Sequence, residues 1–271
     1  MPGKMATAVA EAVVARGLTL VPVGLTGATV EDESIDVSGV AVRLVRPDER
    51  EATLSAIAAD DPATMVVDYT HPSAVNANVA AYAAANLSFV VGTTGGDEAA
   101  MRATVADGAA STAYALIAPN MGKQIVALQA ALEAAAATFP GAFAGYTLSV
   151  TESHQSHKAD TSGTAKANVA AFSALGAPLP VDAIVKVRVP ADQVGEMGVP
   201  EAALSGHAFH TYRLVSGDGS VRFELQHNVC GRSVYAEGTV DACVFLAQRR
   251  AGGDAVRVYN MIDVLRAGEM S

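Results

Sequence analysis

Residues 64–96 read TMVVDYTHPSAVNANVAAYAAANLSFVVGTTGG, and this stretch decides the fold. Thr64 to Tyr69 is a short apolar run of strand length. Pro72 then punctuates, Ser73 to Ala85 has helical length and composition, and Phe89 to Gly92 is a second apolar run. Runs such as MVV and FVV lack polar alternation, as expected of strands buried on both faces of a parallel sheet. Strand, helix and strand joined this tightly make a βαβ unit.

Working outward, the rhythm continues. Toward the C-terminus, Asp97 to Val105 reads as a helix, Ala113 to Ile117 as a strand and Met121 to Ala137 as a long Ala-rich helix. Toward the N-terminus, Val40 to Val45 reads as a strand, followed by a helix opened by Pro47 and Asp48 and running through Ile57. Leu18 to Gly24 reads as another short strand and residues 25–39 as polar loop. Lys4 opens an amphipathic helix with Met5, Val9 and Val13 on one face. A doubly wound nucleotide domain normally opens strand, glycine-rich turn, helix. Here Gly3-Lys4-Met5 reads as the second half of that turn, so the expectation is a Rossmann-like parallel sheet without its first strand.

After about Phe139 the pattern changes. Tyr146 to Thr151 reads as a strand, Thr164 to Ala174 as a helix, and Ala183 to Val189, Phe209 to Val215 and Val221 to Asn228 as longer strands. SGDG makes a hairpin turn between the last two. Thr239 to Gln248 reads as a helix and Val256 to Tyr259 as a closing strand that can return to the first domain. The expected division is residues 1–124 for dinucleotide binding, 125–238 as an α+β substrate and oligomerisation domain, and 239–271 as a return to the first.

Composition narrows the function. A formal charge of −10 argues against a general nucleic-acid or anionic-membrane surface. Trp is absent, so no aromatic stacking platform is advertised. No apolar run reaches membrane-spanning length. Cys230 and Cys243 are too few for a disulfide framework and lack metal-ligand spacing.

The chemistry concentrates in TESHQSHKADTSGTAKA, residues 151–167. His154 and Lys158 are suited to donate protons or bind carboxylates near neutral pH. Ser162, Gly163 and Thr164 at a helix start can present hydroxyl and backbone N–H groups to an anion, although helix capping accounts for the same residues. His154-x-x-His157 has the spacing of a metal pair but no third ligand beside it, and no metal is expected. Asp68 to Pro72, Gly92 to Gly96 and Ala118 to Lys123 follow strands of the first domain, on the rim where parallel sheets bind ligands; turn and cap chemistry is the alternative. At Gly24 to Gly27, where an acid would hold the ribose of NAD, there is neither acid nor base, which leans toward NADPH.

The blocks DYTHPSAVNAN, FVVGTTGG, APNMGKQ, ESHQSHKADTSGTAKA, GHAFHTYR, FELQHNVCGRSVYAEGTVDA and YNMIDVL, in this order between residues 3 and 268, resemble the plant-type branch of the dihydrodipicolinate reductases. The resemblance implies reduction of 4-hydroxy-tetrahydrodipicolinate to tetrahydrodipicolinate by NADPH or NADH in lysine biosynthesis. It implies a small dicarboxylate substrate, a homodimer or homotetramer, and a cytoplasmic location, or the chloroplast stroma in a photosynthetic eukaryote. By that resemblance His154 and Lys158 carry the acid chemistry, and Ser162, Gly163 and Thr164 hold a substrate carboxylate. Gly92, Thr93, Thr94, Ala118, Pro119 and Asn120 flank the nicotinamide, and Gly3, Lys4 and Met5 belong to the dinucleotide turn. Bacterial members carry histidine where this chain has Gln155 and a proline before the serine, where it has Thr161. The competing expectation is a non-catalytic, reductase-like protein that acts in assembly of a chloroplast complex.

Overall fold

Strand pairing in the structure, a computed structural model that describes residues 1–106 and 111–268, separates two units. One comprises Met1–Lys123 with the segment from Ser233 onward, the other Gln124–Arg232. The last three residues of the expected 239–271 segment lie outside the described residues.

The first unit opens with α1 (Lys4–Ala15), β1 (Val23–Leu25), β2 (Ser34–Val37), β3 (Val40–Val45) and α2 (Arg50–Asp60). Then come β4 (Met65–Asp68), α3 (Pro72–Ala84), β5 (Ser88–Val91), α4 (Glu98–Ala106), β6 (Ala115–Ile117) and the boundary helix α5 (Lys123–Thr138). β4, β5 and β6 pair in parallel, as the βαβ reading requires. Phe89, Val90 and Val91 of the central β5 are fully buried, which explains their unbroken apolar run. Leu54, Val75, Val79, Tyr82 and Met101 from α2, α3 and α4 complete that core.

β1, β3 and β2 form a separate sheet, with β1 parallel and β2 antiparallel to β3. No strand precedes α1 among the described residues. The Met1 amino group instead donates to the Leu25 carbonyl (2.6 Å), and Leu25 packs on the core of the β4–β6 sheet.

Two expectations in this region need correction. β1 starts at Val23 and not Leu18, because Pro22 has no N–H for the ladder and contributes only its carbonyl, to the Arg43 N–H (3.0 Å). Residues 34–37, read as loop, form β2. Ser38 and Gly39 both have positive φ (51° and 86°) and make the tight turn that pairs Val37 with Val40.

The second unit contains β7 (Thr147–His154), α6 (Gly163–Ala174), β8 (Val185–Val187), α7 (Pro190–Gly195), β9 (His207–Val215) and β10 (Arg222–Cys230). Its sheet runs β10-β9-β7-β8, antiparallel except where β8 joins β7. Phe172, Val169 and Ala165 of α6 pack with Leu148, Val150, Tyr212 and Leu214 in one core. The Ala183–Val189 run contributes only three strand residues, and Pro190 then opens α7.

The chain then forms α8 (Ser233–Gly252), β11 (Val258–Tyr259) and α9 (Met261–Ala267). β11 returns to pair in parallel with β6, as the sequence suggested. α8 begins six residues before the expected Thr239. Gly238, which looks like a break, lies inside the helix, where a Cβ would sit 1.8 Å from the Met121 carbonyl oxygen. α8 also supplies Asp241, whose carboxylate pairs with buried Lys123 and with Arg16 (2.9 Å). α9 was missed from sequence; Asn260 caps it, accepting from the Ile262 and Asp263 N–H groups in a capping box.

Gly238→Ala forces the Met121 backbone away from α8, and the expected loss is about 3 kcal/mol or more of unfolding free energy. Urea titration measures it; an unchanged midpoint contradicts the close approach.

Candidate active site

Side chains two apart on a strand share a face. On β7 this places Leu148 and Val150 in the core and then, one repeat further, Glu152 and His154. The antiparallel register sets Glu152 opposite His210 and Val150 opposite Tyr212, and β10 sets His227 opposite His210. One sheet face therefore runs from an apolar half, covered by α6, into a buried polar half made of Glu152, His154, His210 and His227.

Glu152, His154 and His210 are each tied down. Arg188, just after β8, donates to Glu152 Oε1 (2.5 Å), to the Glu152 carbonyl (3.2 Å) and to the Lys158 carbonyl (2.8 Å). The backbone N–H of Ser162 donates to Glu152 Oε2 (3.0 Å). Glu152 thus joins strand, loop and helix start. Gln193 of α7 donates to the His154 carbonyl (2.6 Å). The Nε2 atoms of His154 and His210 are 2.9 Å apart, and His210 Nδ1 lies 3.0 Å from the Tyr212 hydroxyl. Ser153, on the opposite face, bonds His207 (2.8 Å).

The imidazoles are held neutral. Burial first, then the charges of Arg188 and Lys158, push His154 down to about 4. Burial and the neighbouring His227 and His154 push His210 down to about 2. Burial also lowers His207 and His227.

Lys158 is half-buried and donates to Asp160 (2.7 Å), a carboxylate that is 73% exposed. Ser162 is the buried N-cap residue of α6 without a side-chain cap bond, and Gly163 and Thr164 form the first turn. The Ser162 N–H is committed to Glu152, which leaves its hydroxyl as the group it could offer a ligand. Among the described residues, the metal-ligating atoms close enough to share an ion are those of Glu152, His154 and His210, within 4.8 Å of one another. His157, the other half of the suspected pair, is exposed. Both Glu152 oxygens are engaged, one by a guanidinium that disfavours an added cation.

In the first unit the three strand-end loops are knitted together. The Gly92 N–H donates to the Asp68 carbonyl (3.0 Å), and the Ala118 N–H to the Val91 carbonyl (3.1 Å). The buried Asp68 carboxylate accepts from the Thr70 N–H and hydroxyl, Thr93 (2.6 Å), Asn78 (3.0 Å) and Tyr82 (2.9 Å). Thr93 is therefore occupied by the loop itself, whereas Thr94 and Pro119 are exposed. Gly92 is needed because a Cβ would come 2.3 Å from the Tyr69 ring. Asn120 accepts from the Gly122 N–H (2.8 Å), a turn role.

At the N-terminus, α1 has no side-chain cap and no acidic residue in its first turn, and nothing lies within 4 Å of a Cβ built on Gly3. Gly3 and Lys4 are exposed and Met5 half-buried. The Thr26 hydroxyl, at the end of β1, is buried without a hydrogen-bond partner. An uncompensated helix start, open space at its glycine and an orphaned hydroxyl fit a dinucleotide phosphate and ribose.

Arg188, Gln193, Tyr212 and Asn168 were not read from the sequence, and His210 and His227 lie inside β9 and β10. The missed signal is the period of two: Phe223, Leu225 and His227 in FELQH, and His210, Tyr212 and Leu214 in HTYRL, carry the same switch from apolar to polar as β7.

Comparison with known proteins agrees with this geometry. Residues 1–121 match the family model described as dihydrodipicolinate reductase, N-terminus, and residues 124–265 the one described as dihydrodipicolinate reductase, C-terminus. The chain is 51% identical to the probable 4-hydroxy-tetrahydrodipicolinate reductase 2, chloroplastic, of Oryza sativa subsp. japonica, over 99% of this chain and 82% of that one. It is 49% identical to 4-hydroxy-tetrahydrodipicolinate reductase 1, chloroplastic, of Arabidopsis thaliana, over 99% and 76%. Among solved structures, a dipicolinate-bound dihydrodipicolinate reductase from Paenisporosarcina sp. TG-14 superposes with a TM-score of 0.62 at 18% identity, covering 96% of this chain and 94% of that one. The chain belongs to the 4-hydroxy-tetrahydrodipicolinate reductase family, nucleotide-dependent oxidoreductases of lysine biosynthesis.

Proposed function

We propose that this chain reduces 4-hydroxy-tetrahydrodipicolinate to tetrahydrodipicolinate, with the dicarboxylate held in the second unit by Lys158 and the start of α6. The observation that carries the substrate assignment is the Lys158–Asp160 pair. The ammonium already binds a carboxylate, that carboxylate is solvent-exposed, and such a pair contributes little to stability. A substrate carboxylate can take the place of Asp160. Gly163 and Thr164 add the positive end of α6, and His154, kept neutral, adds a hydrogen-bond donor without a second full charge.

NADPH or NADH is assigned to Gly3, Lys4 and Met5, with Thr26 and the loops carrying Gly92, Thr93, Thr94, Ala118, Pro119 and Asn120. When bound, the nicotinamide supplies the hydride. Lys158 supplies the balancing proton, and His154 orients the ring through its N–H. Gly24 to Gly27 carry no carboxylate that would repel a 2′-phosphate, which supports NADPH as the better substrate. The chloroplastic relatives support a plastid location. No helix among the described residues is long and apolar enough to cross a membrane.

His154→Ala is expected to lower kcat by about 10² through loss of orientation, and Lys158→Ala to lower kcat by about 10²–10⁴ and raise the substrate KM as well. Steady-state assays with the purified chain measure both, and turnover unchanged in either variant contradicts the assignment. NADPH and NADH titrations, followed by cofactor fluorescence, are expected to be unaffected by both substitutions.

The neutral imidazoles also fix the sign of a pH effect. Their folded pKa values lie below the unfolded value of about 6.5, so the unfolded chain binds more protons as the pH falls. The stability they contribute is complete above about 6.5 and is lost as the pH falls from there toward 4 and below, where His154 and then His210 titrate. Melting temperature is expected to drop across pH 6.5 to 4, and less steeply in His210→Gln. Equal slopes for the two proteins contradict the assignment.

A further inference from the structure

Asn168, Tyr212, His210 and His154 form one continuous chain of buried side chains. Asn168 Nδ2 donates to the Tyr212 hydroxyl (3.0 Å), the hydroxyl lies 3.0 Å from His210 Nδ1, and His210 Nε2 lies 2.9 Å from His154 Nε2. Asn168 sits on α6, Tyr212 and His210 on β9, and His154 at the end of β7. None of the first three belongs to the set read from the sequence.

The direction of these bonds can be worked out from the far end. Asn168 Nδ2 can only donate, so the Tyr212 oxygen accepts from it. Asn168 Oδ1 is buried without a partner, so the Tyr212 proton is not given to Asn168. The remaining acceptor beside the hydroxyl is His210 Nδ1. A neutral imidazole that accepts at Nδ1 carries its proton on Nε2. His210 Nε2 therefore donates to His154 Nε2. Glu152 Oε2, at 4.0 Å from His154 Nε2, is beyond hydrogen-bond reach and does not compete.

We infer that His210 and Tyr212 are positioning residues, which hold His154 as the Nδ1–H tautomer and so make Nδ1–H the single donor that this ring offers the substrate. The inference rests on the assignment of His154 to the substrate site. It specifies which atom acts there, and it assigns a purpose to a polar cluster that would otherwise weaken the sheet.

The surroundings support a fixed direction. His154 and His210 are both depressed by burial, so a protonated form that could donate from both nitrogens is excluded at neutral pH. The His227 ring lies 4.6 Å from His210 and stacks on Tyr212 at 6.0 Å, with neither of its nitrogens bonded. It walls the cluster off and offers the Tyr212 proton no second acceptor. The Gln193 bond to the His154 carbonyl fixes the backbone beneath the ring.

Tyr212→Phe removes one hydroxyl and retains the ring packed against Phe172. Without the hydroxyl, His210 is free to shift its proton to Nδ1, and His154 no longer has a fixed donor at Nε2. Long-range ¹H–¹⁵N correlation on histidine-labelled protein reads the tautomers directly. The native protein is expected to show His154 protonated at Nδ1 and bare at Nε2, and Tyr212→Phe is expected to show the reverse or a mixture. With this change kcat should fall by about 10- to 100-fold, through loss of the oriented substrate pose, while NADPH affinity stays unchanged.

A glutamine at position 210 cannot tautomerise, and its amide NH2 can donate to His154 Nε2 without the Tyr212 hydroxyl. The double variant Tyr212→Phe, His210→Gln should therefore recover kcat relative to Tyr212→Phe alone, which loss of packing would not allow. A native His154 protonated at Nε2, or no recovery in the double variant, overturns the inference. If His154→Ala slows turnover while Tyr212→Phe changes neither tautomer nor rate, only this inference fails. If His154→Ala leaves turnover unchanged, the assignment of His154 to the substrate site fails and this inference with it.

Discussion

The polar cluster of the second unit depends on one buried carboxylate. Glu152 is fully buried at the end of β7, and an ion in that position costs several kcal/mol unless its oxygens are satisfied. Arg188 and the Ser162 N–H satisfy them. These two bonds tie the Lys158 loop and the start of α6 to the strand that carries His154. The guanidinium that neutralises Glu152 also helps keep His154 uncharged. The placement of His154 and of the Lys158 loop thus follows from this carboxylate, while burial first, and the guanidinium second, keeps His154 uncharged.

The other unit solves a similar problem in the same way. Asp68 closes β4, and its buried carboxylate collects donors from its own loop, from the loop after β5 and from α3. Parallel strands leave their C-terminal loops without a ladder to hold them, and a shared acceptor replaces it. Gly92 lets the Tyr69 ring lie against the β5 end, and Tyr69 bonds in turn to Thr239 of α8 (2.7 Å). The rim that would carry a cofactor is thereby held together by its own hydrogen bonds.

How much of this was legible in the sequence depends on whether the information was local. The βαβ unit of residues 64–96 announced itself through composition and spacing, and so did the strand, polar loop and helix containing His154, Lys158 and Ser162. Arg188, Tyr212 and His210 reach the site only through the register of β7, β8 and β9, and Asn168 only through the packing of α6 on that sheet, which no local pattern specifies. β2 was missed although Ser38-Gly39 is a turn dipeptide flanked by valines, because the surrounding charge suggested loop. α8 starts at Ser233 and not at Thr239, and Gly238 inside it is constrained by the Met121 carbonyl, which only the fold brings near. The resemblance to the reductase family named the reaction, and the hydrogen bonds say which groups are spent on holding the site and which remain for the ligand.

The claim that Glu152 organises the substrate site is tested most directly with Glu152→Gln. Binding of pyridine-2,6-dicarboxylate would be measured by calorimetry, with NADPH binding as the control for an intact fold. The account predicts that the dicarboxylate binds at least about tenfold more weakly, a loss of about 1.4 kcal/mol, while NADPH binding is preserved. Unchanged dicarboxylate affinity in a protein that still binds NADPH would show that the Lys158 loop and the α6 start hold their places without this carboxylate, and would contradict the account.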